Sequence, residues 1–256
     1  MARPTENFLA PPRPRVFAHR GLAIDAPENT LLSFAAALSA GAAFVETDVH
    51  ASSDGACVIA HDPDLARIAG RNVRVDSLTL AELKAIDLGH GQTFCTLDEA
   101  LDAFPETRFN IDVKSAAAVG PVVAAITKAG ASHRVLVSSF SESRRVAALQ
   151  KLPGVVSSAS ARRFVVALLA GKLGVQSIVN SVLRGLVAVQ VPERALGLRI
   201  TTPRMIARLH RAGVEIHIWT VNDPIRMTEL LDLGVDGIVT DRADLALAVV
   251  AGRPKL

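Results

Sequence analysis

FVETDVH (44–50) and RFNIDVK (108–114) are two short stretches in which charged and apolar residues alternate. Because successive side chains of a β-strand point to opposite faces, the first stretch places Glu46 and Asp48 on one face, and the second repeats the arrangement with Asp112. Both stretches therefore predict strands that bring carboxylates to one side of a common sheet.

Short apolar runs alternate with helical patterns along the rest of the chain, which is typical of βα units around a parallel sheet. The predicted strands are 15–21, 44–50, 108–114, 134–140, 155–158, 186–191, 215–222 and 235–241. Helical patterns over 30–41 and 202–213 end in glycine, as many helices do. This order predicts an α/β protein, a (β/α)8 TIM barrel. An open doubly wound sheet is the alternative, but no glycine-rich dinucleotide or phosphate-loop fingerprint supports it.

The strand and helix pattern fails after the second strand, where glycines and polar residues surround one short helix over 79–86. We interpret residues 62–96 as a small insertion at that place. Residues 1–14 contain four prolines and no apolar signal segment, which predicts a flexible lead-in. Residues 15–256 are then a single barrel domain.

The composition is that of a soluble globular protein: 50% of the 256 residues are hydrophobic and 21% are charged. No stretch reaches the roughly 20 apolar residues that a membrane span needs, and without a signal segment the expected location is the cytoplasm. Cys57 and Cys95 are too few for a disulfide framework or a thiolate metal site, so we expect both to be structural.

The net charge of +3 conceals an uneven distribution of charged residues. Residues 134–211 contain 13 Lys and Arg but only two acidic residues, Glu142 and Glu193. This basic region predicts peripheral contact with an anionic membrane or binding of an anionic substrate, and ordinary solvated helix faces are the alternative. Nucleic acid is not expected as a partner, because aromatic residues do not interleave with the basic ones and the chain has no tyrosine.

The paired carboxylates need a positive partner, because an unpaired buried carboxylate is costly. Glu46, Asp48 and Asp112 offer oxygen ligands only, which favours one hard divalent cation, Mg2+ or Ca2+. Alternatively, Arg or Lys side chains neutralise these carboxylates, and Asp112 and Lys114 belong to a buried ion network. In the first case Lys114 is a charge partner for phosphate.

Two histidines end apolar runs: His19, which Arg20 follows, and His61. In barrel enzymes the C-terminal ends of the strands carry the chemistry. Two imidazoles beside a cation and an arginine suit displacement at phosphorus, in which one takes a proton and the other gives one. A structural histidine is the alternative reading of His19 taken alone.

Several short motifs occur in the order seen in glycerophosphodiester phosphodiesterases, and the chain resembles this family from about residue 16 to 248. The motifs are HRG (19–21), PENT (27–30), ETD (46–48), DG (54–55), HD (61–62), TLDEAL (96–101), DVK (112–114), WTVN (219–222) and GVDGIVTDRAD (234–244). The resemblance implies a (β/α)8 barrel with an insertion after the second strand. It also implies a metal-dependent hydrolase that releases glycerol 3-phosphate and an alcohol.

The resemblance assigns roles to the residues of these motifs. His19 and His61 match the acid–base pair. Glu46 and Asp48 match metal ligands, and Asp112 stands where the family often has glutamate as the third ligand. The shorter aspartate is a variation on that pattern.

The remaining implied residues contact the substrate. Arg20 matches a phosphate-binding arginine, and Glu28 matches a polar residue beside the site. Trp219 is predicted to line the substrate pocket, with core packing as its alternative. Two other functions stay open: a lysophospholipase D that acts on lysophospholipids, and a catalytically silent barrel that only binds phosphodiesters.

Overall fold

The structure is a computed structural model that describes residues 8–253, and its centre is a barrel of eight parallel strands. The barrel strands are β1 (Arg15–His19), β2 (Phe44–Ala51), β3 (Arg108–Val113), β4 (Val135–Ser138), β5 (Val156–Ser157), β6 (Ala188–Val191), β7 (Glu215–Ile218) and β8 (Gly237–Thr240). They pair in the order β5-β4-β3-β2-β1-β8-β7-β6, and a parallel bridge between Ser158 and Ala188 joins the two ends. The predicted TIM barrel is confirmed, with every strand at or near its predicted position.

Helices cover the outside of the barrel, except for the two shortest, which belong to the segment after β2. They are α1 (Leu31–Ser39), α2 (Ala66–Ala69), α3 (Leu80–Lys84), α4 (Leu97–Ala103), α5 (Val119–Lys128), α6 (Glu142–Leu149), α7 (Ala161–Lys172), α8 (Gln176–Val182), α9 (Pro203–Arg211), α10 (Pro224–Asp232) and α11 (Ala243–Ala251). Local sequence explains several of their starts: Thr30 caps α1 by accepting a hydrogen bond from the Ser33 amide, and Thr202 caps α9, whose first residue is Pro203. In the described range, no helix is both long enough and apolar enough to cross a membrane.

The alternation along each strand separates an inner from an outer layer of side chains. Val45, on the outer face of β2, belongs to the large apolar layer between strands and helices. Phe17 and Phe44 point inward and pack against each other with their ring centroids 4.8 Å apart. Phe17 precedes His19 by two residues, so an apolar floor lies directly beneath the polar end of the barrel. Burial of each such phenylalanine contributes about 1.5–3 kcal/mol.

The chain that leads into β1 packs against the base of the barrel. Residues 1–7 of the predicted flexible lead-in lie outside the described residues. Phe8 is fully buried, with its ring centroid 5.4 Å from that of Phe44. Arg13 forms an ion pair with Asp236 at 2.5 Å. Residues 8–14 therefore close the floor of the barrel, because an apolar interior that is open at its base would otherwise meet water.

The segment after β2 builds a small unit of its own. A strand over Cys57–Ile59 runs antiparallel to β2, which the sequence pattern did not predict. A two-stranded hairpin, Asp64–Leu65 with Arg71–Arg74, and the predicted short helix, α3, follow it. A separate apolar cluster holds this unit together; its buried members are Val58, Ala60, Leu65, Val75, Leu83, Ile86 and Phe94. Cys57 and Cys95 are free and buried, and burial raises the pKa of Cys95 to about 12.

The turn after β1 depends on a close contact between two backbones. Gly21 has a φ of +85°, and its neighbour Leu22 donates a hydrogen bond to the Ser33 carbonyl at 2.9 Å. A Cβ at Gly21 would lie 2.6 Å from the carbonyl carbon of Ser33. This turn sets the direction of Arg20, which has a φ of +58°.

We therefore expect Gly21→Ala to destabilise the fold more than Gly55→Ala does. Gly55 has the same φ of +85°, but its Cβ would meet nothing within 4 Å. Left-handed backbone costs an alanine about 1–2 kcal/mol at either position, and the clash with Ser33 should add roughly 1–3 kcal/mol at Gly21 alone. Urea denaturation of both variants measures the difference; equal losses of unfolding free energy would show that the Ser33 contact is not what requires glycine.

Candidate active site

The C-terminal ends of the strands open into a cavity of about 370 Å³. Most of the residues singled out from the sequence line it: His19, Arg20, Glu46, Asp48, His61, Asp112, Lys114 and Trp219. Glu28 lies beside the cavity and reaches it through Arg20. Tertiary structure thus brings the candidate residues from distant parts of the chain to one place.

His19 ends β1 at the cavity wall, and a carboxylate orients its ring. Nδ1 of His19 lies 2.6 Å from Oδ1 of Asp241, and Nδ2 of Asn222 donates to the other Asp241 oxygen at 2.8 Å. Burial opposes the charged imidazole, but the Asp241 hydrogen bond and the Glu46 carboxylate outweigh it, so the pKa of His19 is raised. Because a carboxylate only accepts, Nδ1 carries the proton, and Nε2 lies 3.9 Å from Glu46.

His61 has the same arrangement on the other side of the cavity. Its Nδ1 lies 2.7 Å from Oδ1 of Asp62, and Nε of Arg67 donates to Oδ2 of Asp62 at 2.6 Å. Burial opposes the charged form of Asp62, but the hydrogen bonds from His61 and Arg67 outweigh it, and the pKa of Asp62 is lowered. Asp62 therefore stays an acceptor for Nδ1, which leaves Nε2 of His61 for other partners.

A chain of ion pairs joins the two histidine sites. Glu28 accepts a hydrogen bond from Arg20 at 2.9 Å and another from Arg67 at 2.6 Å, and Arg67 in turn binds Asp62. Burial works against the ionised Glu28, but both arginines outweigh it and lower its pKa. Within the described residues, Nε of Arg20 is buried without a hydrogen-bond partner. It lies 3.4 Å from Oδ2 of Asp48, so Arg20 forms ion pairs with both Glu28 and Asp48.

Glu46 is a buried carboxylate with little positive charge near it. Its exposed fraction is 8%, and the nearest donors are the Arg20 amide at 3.3 Å and the more distant His19 ring. Burial, with the repulsion of Asp48 next, raises the pKa of Glu46 to about 8. A site with this carboxylate at its centre has room for more positive charge.

Asp48 and Asp112 share one ammonium group. They lie opposite each other in the pairing of β2 with β3, and Nζ of Lys114 lies 2.7 Å from an oxygen of each. Burial raises the pKa of Asp112, whereas at Asp48 Lys114 outweighs the effect of burial and the pKa is lowered. The buried ion network that the sequence left open as an alternative is present.

The donor set still fits a hard cation in chemical type. Glu46, Asp48 and Asp112 supply carboxylate oxygens from adjacent strands, and among the described side chains only His19 forms an ion pair with Glu46, at 3.9 Å. Between residues 8 and 253, however, no group of three or more His, Cys, Asp or Glu is arranged so that it could hold a metal ion. Lys114 already neutralises two of the three carboxylates, so the divalent cation stays a prediction.

The opposite side of the cavity is apolar. Trp219 follows β7 and meets Phe140 edge-on, with 6.1 Å between the ring centroids. The apolar residues that complete this wall are Ala159, Ala161, Phe164, Val165, Val191, Pro192, Ala195, Leu196 and Val239. The cavity thus has one charged end and one apolar end.

Reasoning from sequence missed the residues that orient the two imidazoles, which are Asn222, Asp241, Asp62 and Arg67. Asp241 could have been found, because a barrel pairs its first strand with its last and so places the residues that end β1 and β8 side by side. Asp62 follows His61 directly. Arg67 lies in the irregular insertion, where no periodicity indicates which way a side chain points.

Comparison with known proteins agrees with this geometry. Residues 19–245 match the model of the Glycerophosphoryl diester phosphodiesterase family. A Mycobacterium tuberculosis protein named probable glycerophosphodiester phosphodiesterase 2 is 40% identical over 252 residues, which cover 98% of this chain and 96% of that protein.

Solved structures share the fold. A glycerophosphodiester phosphodiesterase from Thermotoga maritima is 28% identical, with a TM-score of 0.70 over 92% of this chain and 97% of that one. An Oleispira antarctica phosphodiesterase, solved with the product sn-glycerol-3-phosphate, is 24% identical, with a TM-score of 0.77 over 94% of this chain and 98% of that one. The family match and the 40% identity together show that this chain belongs to the glycerophosphoryl diester phosphodiesterase family.

Proposed function

We propose that the protein is a cytoplasmic enzyme that hydrolyses glycerophosphodiesters to glycerol 3-phosphate and an alcohol. His19 and His61 would be its acid–base pair, and a divalent cation would assist them. The observation that carries the proposal is the matched pair of imidazoles. The Nδ1 atom of each ring lies within hydrogen-bond distance of a carboxylate. Both rings line one cavity that an arginine, a lysine and three carboxylates also line.

The two rings can divide the proton transfers of hydrolysis between them. As the oxygen of water bonds to phosphorus, one imidazole takes a water proton at Nε2; as the bond from phosphorus to the alcohol oxygen breaks, the other imidazolium gives that oxygen a proton. Asp241 and Asp62 keep the proton of each neutral ring on Nδ1, which leaves each Nε2 available for proton transfer. Positioned proton transfer of this kind contributes about 10²–10⁴-fold in rate.

The charged end of the cavity suits the phosphate. Arg20 lies at the cavity wall, and its hydrogen bond to Glu28 and its ion pair with Asp48 hold the guanidinium in place. Lys114 adds a second positive charge near the same point. Fixed donors aimed where negative charge develops lower the barrier, because they need not reorganise as the reaction proceeds.

The cation would be held by Glu46 and Asp48, with Asp112 as the third ligand. Its chemistry would be that of a Lewis acid, which polarises a phosphoryl oxygen. The support for this cation is that little positive charge lies near the Glu46 carboxylate, whose pKa is raised to about 8 chiefly by burial. A cation in this position would share Asp48 and Asp112 with Lys114.

A second candidate function is the hydrolysis of lysophospholipids. The apolar wall favours it, because Phe164, Val191 and Leu196 give part of a hydrocarbon chain a place to bind. Peripheral contact of the basic region 134–211 with an anionic membrane would bring such substrates to the cavity. The first function needs only the charged end of the cavity; the second needs both ends.

Substrate and metal dependence can be measured together. We expect release of glycerol 3-phosphate from glycerophosphocholine with Mg2+ or Ca2+, and a fall of at least about 100-fold with EDTA, because Glu46 would then lack its counterion. Lysophosphatidylcholine, assayed in parallel for lysophosphatidic acid, tests the second candidate. Full turnover in EDTA would contradict the cation, and no turnover of either substrate with any ion would contradict hydrolysis and favour a silent barrel.

His19→Ala and His61→Ala are each expected to lower kcat for glycerophosphocholine by about 10²–10⁴-fold, since either removes one of the two proton transfers. Circular dichroism should show an unchanged fold in both. His133→Ala is the matched control, because His133 is exposed, does not line the cavity and precedes β4, at the end of the strand away from the cavity. Activity at the wild-type level in either cavity variant would refute the role of that histidine.

Asp241→Asn tests the orientation of His19. The amide has nearly the same shape, but it can donate to Nδ1 and so move the ring proton to Nε2, with loss of the charge that stabilises the imidazolium. We expect kcat to fall by about 10²–10⁴-fold. Asp244→Asn is the control, because Asp244 pairs with Arg242 outside the cavity. Equal activity in the two variants would show that Asp241 is not a positioning residue.

A further inference from the structure

Helices α7 and α8 carry an exposed apolar surface on the outside of the barrel. Ten large apolar side chains of the described residues are exposed, and five of them fall between residues 166 and 178. We call these five the α7–α8 patch: Val166, Leu169, Leu173, Val175 and Ile178, whose exposed fractions are 40%, 46%, 81%, 38% and 46%. A cluster of this kind marks an interaction surface, whereas single exposed apolar residues are ordinary.

The patch is not needed to hold α7 on the barrel. The inner face of α7 already buries Phe164, Ala167 and Leu168. Val166 and Leu169 are spaced by three residues, and Leu173 follows four later, so they form one stripe on the outer face. The helix is therefore apolar on two sides, and only one side packs against other residues of the described range 8–253.

Charge around the patch has one sign. The chain has no Asp or Glu from residue 143 to 192. Glu142, just before this range, is bound by Arg145 and Arg163, and Glu193, just after it, is bound by Arg226. Neither acidic side chain is free to balance the basic residues of this side of the barrel.

Exposed basic side chains surround the patch. Arg162 begins the outer stripe of α7, Lys172 lies near its end, and Arg184 follows α8. Over residues 8–253, none of the three has a carboxylate partner. Helix α9, which packs against both α7 and α8, adds arginines and no acidic residue.

The positive charge around the patch indicates which kind of partner can bind there. A second copy of the chain would place two basic surfaces against each other, and their repulsion opposes a symmetric dimer. An anionic bilayer instead accepts apolar side chains at the boundary of its acyl chains and basic ones among its headgroups. We propose that the α7–α8 patch docks the protein on an anionic lipid bilayer.

Docking at this place has a consequence for the cavity. Val165, next to Val166 of the patch, lines the cavity together with Phe164. Helix α7 thus connects the lipid-facing surface to the apolar end of the cavity. The proposal itself does not depend on hydrolysis, because vesicle binding and turnover are separate measurements.

Vesicle flotation tests the proposal with the full chain. We expect binding to phosphatidylcholine vesicles that contain phosphatidylglycerol, and weaker binding without it or at high salt. Leu169→Glu combined with Leu173→Glu should weaken binding to the anionic vesicles at least about tenfold, because it removes apolar contact and adds repulsion. Arg162→Gln combined with Lys172→Gln should weaken it while leaving the apolar residues in place.

Ile225→Glu is the matched control. Ile225 is 71% exposed on α10, outside the patch, so its variant should bind like the wild type. Turnover of glycerophosphocholine should be equal in all variants, which shows that they are folded. No binding of the wild type to anionic vesicles would overturn the proposal, as would equal weakening by Ile225→Glu. So would a wild-type dimer that the paired glutamates dissociate without any vesicle binding, since the patch would then be an interface between copies.

Discussion

Burial of three carboxylates at one end of the barrel is the constraint on which the rest of the site depends. Glu46 and Asp48 point into the barrel because they alternate with the apolar residues of β2, and the pairing of β2 with β3 sets Asp112 opposite Asp48. Such a concentration of negative charge is stable only with positive charge among it. Lys114 supplies part of this charge between Asp48 and Asp112, and Glu46 remains the least compensated member, with its pKa raised to about 8.

The basic side chains around these three carboxylates are held in place by other carboxylates, those of Glu28, Asp62 and Asp241. Glu28 binds Arg20 and Arg67, and Asp62 binds Arg67 and His61, so the insertion is tied to the barrel by the same contacts that orient one of the two imidazoles. Asp241 and Asn222 do the same for His19. The charged side chains of the site therefore hold one another in place through ion pairs and hydrogen bonds, which fixes their positions before a substrate arrives.

Much of the fold could be predicted from the chain because its signals are local. Alternation identifies β2 and β3, and capping residues such as Thr202 mark where helices begin. Residues 1–14 were predicted to be a flexible lead-in, but Phe8 is buried against the base of the barrel, which a local pattern cannot show. The antiparallel strand Cys57–Ile59 was missed for a similar reason: three residues are too short for a period to be visible.

The sequence by itself determined the family, the order of the barrel strands and the residue types of the site, because motifs such as HRG and ETD and the alternation of the strands are properties of neighbouring residues. Only the tertiary structure decided how these residues are paired. Lys114 bridges two carboxylates, Asp241 reaches His19 across 222 positions of the chain, and the described residues leave the outer side of α7 exposed. The physical reason is that barrel closure and helix packing decide which side chains share a low-dielectric space, and neither can be read from the spacing of residues along the chain.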